Sequence, residues 1–203
     1  MDEHRAVKEA YDEMAQDYMD HVTSVSSSDR PDPVEQFQNE LAPGDKLLDA
    51  GCGPGRQTLR RSGENGVGLD ASREQLSLAT ERVTAKLVQG DMTALPFSSD
   101  SFDAVMALYS LIHVPVDDHR SVLEEFARVL RPSGTLLVSE GGVEWTGSNP
   151  DWLDSGTEMR WSMAGPEATA DDLRACGFEI RDVWDVPDPG DDGVKPFFLA
   201  TRT

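Results

Sequence analysis

Short apolar runs alternating with amphipathic stretches constrain this chain more than any other feature. The runs fall at residues 46–50 (KLLDA), 66–70 (GVGLD), 86–91 (KLVQGD), 102–108 (FDAVMAL) and 134–140 (GTLLVSE). Short apolar strands separated by helices specify a parallel sheet covered on both faces. The clearest helix spans residues 117–130, with Val122, Phe126, Val129 and Leu130 as its apolar side. Asp117 or Asp118 is its expected N-cap, and Pro132 and Gly134 its stop signal. Residues 165–178 read as a helix ending at Gly177, and residues 178–186 and 195–203 as strands around a turn-rich DPGDDG. Two strands joined by a short loop pair antiparallel. The expected fold is therefore α/β, with a seven-stranded, mostly parallel sheet whose last strand is antiparallel.

Ahead of the first strand, residues 1–23 read as one helix, placing Tyr11, Met14, Ala15 and Tyr18 at i, i+3, i+4 and i+7. A polar stretch at 24–33 reads as a loop, and residues 34–41 as a short helix stopped by Pro43 and Gly44. With 203 residues and no repeat, a single domain is expected over 1–203. Its parts are an N-terminal helical segment (1–40), a core (45–140), an insertion (141–165) and a closing helix and hairpin (166–203). The charged opening MDEHRAVKEAYDEM offers no readable secretory signal, and no run of apolar residues is long enough to span a membrane. Cys52 and Cys176 are too few for a disulfide framework or a thiolate metal site. These features predict a soluble, reduced, cytoplasmic protein with no metal centre.

Charge narrows the choice of partner. Thirty-eight acids oppose 18 bases for a net charge of -20, and only 4 of the bases are Lys. So negative a surface disfavours both phosphate backbones and anionic membranes. It suits high salt, where the Debye length falls to about 3 Å and self-repulsion is screened; an ordinary acidic protein is the alternative.

The first strand runs into Asp49-Ala50-Gly51-Cys52-Gly53-Pro54-Gly55. Glycines at a strand-to-helix turn permit positive φ and let a ligand lie against bare backbone. The helix N-terminus beyond offers unpaired amides to an anionic group. A dinucleotide fingerprint, G-x-G-x-x-G, fits poorly because its last glycine position is Arg56. No Walker loop is present either. Asp70 ends the second strand 19 residues past Gly51, a spacing at which a carboxylate accepts both ribose hydroxyls of a nucleoside. Equally, it could cap the helix that starts near Ala71. Asp91 closes the third strand on the same crevice edge, where it either accepts from an exocyclic amine, with Met92 against the ring, or makes a local turn bond.

The motifs LLDAGCGPG (47–55), GLDAS (68–72), Gly90-Asp91-Met92 with Leu95-Pro96-Phe97, Ser101-Phe102-Asp103 and RVLRPSG (128–134) resemble class I S-adenosylmethionine-dependent methyltransferases. Within that class they are most similar to the small-molecule branch that includes quinone-biosynthesis C-methyltransferases. The resemblance implies a Rossmann-like three-layer sandwich and S-adenosylmethionine as cofactor. It places Asp49, Gly51, Cys52 and Gly53 along the methionine portion, Asp70 and Ala71 at the ribose, Asp91 and Met92 at the adenine, and Leu108-Tyr109-Ser110 beside the sulfonium. Tyr11-Asp12-x-x-Ala15-x-x-Tyr18 resembles the family's lid helix, although core packing would produce the same pattern. Ser133 departs from the family's usual glycine there.

Methyl transfer requires little activation, because the sulfonium already makes the methyl carbon electrophilic. In-line placement of the nucleophile and exclusion of water remain to be done. If a proton must leave, His113 and Tyr109 are the candidates, His113 having a suitable unperturbed pKa of about 6.5; packing against the next helix is the other reading of His113. Trp145, Trp152 and Trp161, with Met159 and Met163, concentrate in the insertion. They either cover a small, partly apolar acceptor or pack the lid onto the sheet. An NAD(P)-binding oxidoreductase and a non-catalytic S-adenosylmethionine-binding regulator are the competing assignments.

Overall fold

The computed structural model describes residues 3–24, 33–55, 57–187 and 193–203. The expected loop at 24–33, Arg56 and the DPGDDG turn lie outside these residues, the loop and the turn except at their ends. In chain order the helices are α1 (Glu3–Glu13), α2 (Ala15–Ser24), α3 (Pro33–Glu40), α4 (Gln57–Ser62), α5 (Arg73–Thr80), α6 (Val116–Val129) and α7 (Pro166–Ala175). The strands are β1 (Leu47–Ala50), β2 (Gly66–Asp70), β3 (Lys86–Gln89), β4 (Phe102–Ala107), β5 (Leu130–Ser139), β6 (Trp145–Asn149), β7 (Met159–Met163), β8 (Phe178–Pro187) and β9 (Val194–Arg202).

Seven strands form one sheet in the order β3-β2-β1-β4-β5-β9-β8. β9 runs antiparallel to both neighbours, while β1 to β5 pair in parallel. Alternation along a strand supplies both faces of the sheet with apolar groups. In β4, Val105 and Ala107 join the cluster under α6 and α7, whereas Ala104 and Met106 join Phe37 of α3 on the opposite face. β9 divides in the same way, with Phe198 and Ala200 on one side and Phe197 and Leu199 on the other. The result is helix–sheet–helix layering. Strand order reverses between β1 and β4, and such a switch point opens a crevice at the strands' C-terminal ends.

Three expectations are corrected, and one element was not foreseen. The single helix expected over 1–23 is two helices, Glu3–Glu13 and Ala15–Ser24, broken at Met14. The break lets Ala10 and Met14 bury against Met159 of β7 while Tyr18 reaches the glycine turn. Neither Asp117 nor Asp118 caps α6: Pro115 occupies the cap position, and both acids sit in the first turn, where the positive end of the helix dipole favours them. α6 stops at Val129, before Pro132 and Gly134, because β5 begins directly at Leu130. The insertion forms a two-stranded ribbon, β6 with β7, which no alternation in the sequence announced. Ser133 has φ +64°, which explains why a glycine would suit that turn.

Candidate functional site

A cavity of about 440 Å³ lies over the crevice. Its floor is the glycine turn after β1, its side walls are the tips of β2 and β3 and the turn after β4, and α1 and α2 roof it. Gly51 adopts φ +76°, and a Cβ there would overlap the Ser110 side chain and meet Met92 Cε at 3.4 Å. Its amide donates to the Leu69 carbonyl at 2.7 Å, tying the turn to the neighbouring strand. Only a glycine fits this bend.

Asp70 serves the turn and the cavity together. Gly53 N donates to Oδ2 at 2.8 Å, and Ser72 N donates to Oδ1 at 2.8 Å. Burial pushes its pKa up to about 6, against the lowering effect of those amides. Each carboxylate oxygen accepts one amide and has capacity for one more donor, as a vicinal diol would supply. The helix-capping alternative is only half met: Ser72, not Asp70, is the N-cap of α5, its Oγ accepting from Gln75 N. Asp91 lines the same cavity, but its Oδ1 accepts from Thr93 N and Thr93 Oγ1, both at 2.8 Å. Oδ2 lies 3.7 Å from His4 Nδ1. The local turn bond therefore exists alongside a cavity-facing position.

Tyr11 and Tyr18 both line the roof, edge to face with ring centroids 5.1 Å apart. Asp12 docks this roof onto α5, accepting from Lys8 Nζ at 2.7 Å, Ser72 Oγ at 2.7 Å and Glu74 N at 3.3 Å. These bonds hold its carboxyl below the ordinary aspartate value, despite the raising effect of burial. Sequence reasoning missed Asp12. Its only signal was adjacency to Tyr11 in the lid motif. Ser110 lines the cavity with Leu108 and Tyr109, as expected, and His4, Val7, Lys8, Ser72 and Gln75 also line it and were not foreseen.

His113 sits in a single 3-10 turn, Leu111–His113, beyond β4. Its Nδ1 lies 2.9 Å from the Arg160 carbonyl of β7, and its Nε2 lies 2.9 Å from Tyr11 Oη. A carbonyl only accepts, so Nδ1 carries the hydrogen and Nε2 accepts from the Tyr11 hydroxyl. Burial lowers the pKa of the imidazole to about 4, with Lys195 acting in the same direction and the Arg160 carbonyl opposing. Tyr109 holds φ +56°, stabilised by donation of its amide to Ser139 Oγ at 2.7 Å, and its ring packs edge-on against Phe197.

Among the expected site residues, Tyr11, Tyr18, Gly51, Gly53, Asp70, Ala71, Asp91, Met92, Leu108, Tyr109 and His113 converge on the one cavity. Asp49 and Cys52 do not line it. Asp49 is 3 % exposed beneath the turn, and Cys52 points into an apolar cluster with Leu59 and Leu76. The tryptophans stand behind the wall rather than in it: Trp161 lies 5.9 Å from the His113 ring and 5.3 Å from Trp152, which contacts both roof tyrosines. Trp145 is 44 % exposed on the ribbon. Met159 is buried with Ala10 and Met14, so this end of the insertion packs the lid.

A bare-backbone bend beside two acids at the next two strand tips defines an α/β protein that accommodates a nucleoside-bearing cofactor. The profile of the methyltransferase domain family matches residues 48–138. The methyltransferase GfsG of Streptomyces halstedii is 37% identical over 117 residues, covering 53% of this chain and 41% of that protein. The O-methyltransferase rstn1 of Aspergillus nomiae is 30% identical over 192 residues, covering 83% of this chain and 84% of that protein. A solved S-adenosylmethionine-dependent methyltransferase from Methanosarcina mazei shares the fold, with a TM-score of 0.73 at 22% identity over 85% of this chain and 98% of that one. The chain belongs to the class I S-adenosylmethionine-dependent methyltransferases, whose cofactor is S-adenosylmethionine.

Proposed function

We propose that the protein methylates a hydroxyl on a small, partly apolar acceptor, with the Tyr11–His113 pair taking up the proton. The observation that carries this reading is the fixed tautomer of His113, whose one lone pair is aimed through the Tyr11 hydroxyl at the cavity wall. The name of the O-methyltransferase relative supports oxygen as the accepting atom.

The cofactor supplies a sulfonium methyl that is electrophilic without help from the protein. Asp70 would accept from the ribose diol, and Asp91 with Met92 would face the adenine. Gly51 and Gly53 leave backbone room for the methionine portion, and Tyr11 and Tyr18 exclude water from above. An acceptor oxygen that took the methyl carbon, as its bond to the sulfonium sulfur broke and S-adenosylhomocysteine was left, would become strongly acidic. Its proton then passes to Tyr11 Oη while the Tyr11 proton moves to His113 Nε2. An imidazole with a pKa of about 4 is a weak base, yet it stays neutral and receptive across the ordinary pH range. It can accept such a late proton downhill.

The test is an S-adenosylhomocysteine-release screen over phenols, alcohols, amines and thiols in high salt. Turnover on hydroxyl acceptors is expected, with His113→Gln lowering kcat by about 10²-fold or more and leaving cofactor affinity intact. Turnover confined to amines or thiols would overturn the oxygen reading. Tight cofactor binding with no turnover on any acceptor would favour a regulator. The net charge of -20 with only 4 Lys supports a salt-rich cytoplasm as its setting, and small molecules rather than nucleic acids or membranes as partners.

A further inference from the structure

Behind the cavity, outside every residue assigned a role above, lies a completely enclosed acid–imidazole pair. Glu140, the residue after β5, is 0 % exposed, and His119 of α6 is 2 % exposed. His119 Nδ1 lies 3.3 Å from Glu140 Oε2 in packing contact, with no hydrogen bond between them. Glu140 Oε1 accepts from Gly141 N at 2.6 Å, and Oε2 accepts from Thr169 Oγ1 of α7 at 3.2 Å. On its far side, His119 Nε2 donates to the Val114 carbonyl at 2.9 Å. Val114 is the residue next to His113 and itself lines the cavity.

We propose that Glu140 and His119 are positioning residues for His113, a buried clamp that fixes the Leu111–His113 turn against the end of β5 and against α7. The proposal rests on the role given to His113 above. Two separate routes lead from the pair to that imidazole. One is the Nε2–H of His119, which holds the Val114 carbonyl and so sets where the turn ends. The other passes through the Gly141 amide, which starts the insertion, and Gly141 packs so closely on Met163 of β7 that no side chain would fit between them. β7 in turn supplies the Arg160 carbonyl that holds His113 Nδ1.

A purely structural account explains the pair poorly. Buried polar side chains are costly to desolvate, and well-packed apolar residues in their place are often neutral or stabilising, so the pair is weak evidence of a stability role. What apolar residues would not supply is the directional bond to the Val114 carbonyl or the anchor on the Gly141 amide. A displacement of about 1 Å at a reacting group can reduce turnover by about 10²-fold, so directional anchoring of this turn has consequences that burial alone does not provide.

The test reads the imidazole itself. In isotope-labelled protein the titration of His113 is followed by NMR, beside calorimetry with S-adenosylhomocysteine. The ionisable side chains that face His113 are Tyr11 from α1 and Lys195 from β9, and neither is altered. In Glu140→Ala, which removes the acceptor of the Gly141 amide, the midpoint of His113 is expected to rise by about one unit or more toward the ordinary histidine value as the turn loosens and water enters. Affinity for S-adenosylhomocysteine should stay within about twofold, because the nucleoside slot is untouched. Should Glu140→Ala fail to fold, His119→Leu removes only the bond to the Val114 carbonyl, and the same rise is expected. A folded variant of either kind with an unmoved His113 titration overturns the proposal. Loss of S-adenosylhomocysteine binding in step with the His113 shift also overturns it, because the damage would then be general. The outcome is separable from the catalytic reading: unaltered turnover in His113→Gln would remove the proton role, while the titration shift in Glu140→Ala would still report the clamp.

Discussion

Asp70 offers the sharpest quantitative test. Its carboxyl titrates at about 6 in the folded, ligand-free protein, against an ordinary value of 3.8, because burial outweighs the two amides that favour its charge. This raised value means that the contribution of Asp70 to stability is fully present below pH 3.8 and is lost as pH rises through about 6. The shift corresponds to at most about 3 kcal/mol, less to the extent that the group sees cavity water. Ribose hydroxyls donate to the ionised form, so binding pulls the group toward charge. Binding below pH 6 must therefore expel a proton. From pH 7 to pH 5 the affinity for S-adenosylhomocysteine should fall about tenfold, with uptake of the missing charge visible as proton release at pH 5.5 and none at pH 8. Calorimetry in two buffers of different ionisation enthalpy measures both quantities. Asp70→Asn should abolish the pH dependence. It should also weaken binding by about 10²- to 10⁴-fold, since two bonds to a charged acceptor contribute about 1.5–3 kcal/mol each. An affinity that stays level from pH 5 to pH 8, or a substituted protein that binds as well as the original, refutes the ribose assignment.

Three other outcomes follow from the same geometry. Gly51→Ala must both hold φ +76° and overlap Ser110, so urea unfolding should show a loss of about 1–3 kcal/mol, and wild-type stability would show that the turn adapts. With 38 acids against 18 bases, thermal unfolding followed against KCl should move to higher temperature with added salt; a midpoint indifferent to salt removes salt adaptation. Trp161→Ala takes the ring 5.9 Å from His113 out of the wall behind the site, so it should raise the acceptor KM or lower kcat by about tenfold with little change in S-adenosylhomocysteine affinity. Equal losses in both would mean the ring only supports the lid.

What was legible in the sequence depended on period and spacing. The sheet could be read because alternation along β4 and β9 feeds both of its faces, and the strand tips follow once the strands are placed. Gly51, Asp70 and Asp91 then share an edge by topology alone. Bonds between residues far apart in sequence were not legible. Tyr11 reaches His113 across 102 positions, and Asp12 reaches Ser72 across 60. No local pattern encodes either. The β6–β7 ribbon was missed for a related reason: β6 is mostly exposed, so no buried face marks it, and aromatic packing carries its edge. Asp49 and Cys52 were assigned from a motif whose glycines touch the cavity, whereas Asp49 is buried and Cys52 points into an apolar cluster.

The manner in which the roof is attached bears on how the site works. α1 buries only Ala10, and the Met14 that follows it, against the ribbon. Its other anchors are polar and near the rim: Asp12 on α5, Tyr11 on His113, and His4 beside Asp91 and Asp118. Contacts of this kind contribute about 0.5–1.5 kcal/mol each, well below the free energy that holds a core strand. An element so held can move without unfolding the sheet. The bond that ties the roof to the turn beyond β4, Tyr11 to His113, is also the bond assigned to proton uptake. Roof position and chemistry therefore share one hydrogen bond, so a roof that lifts away also takes apart the proton-acceptor pair.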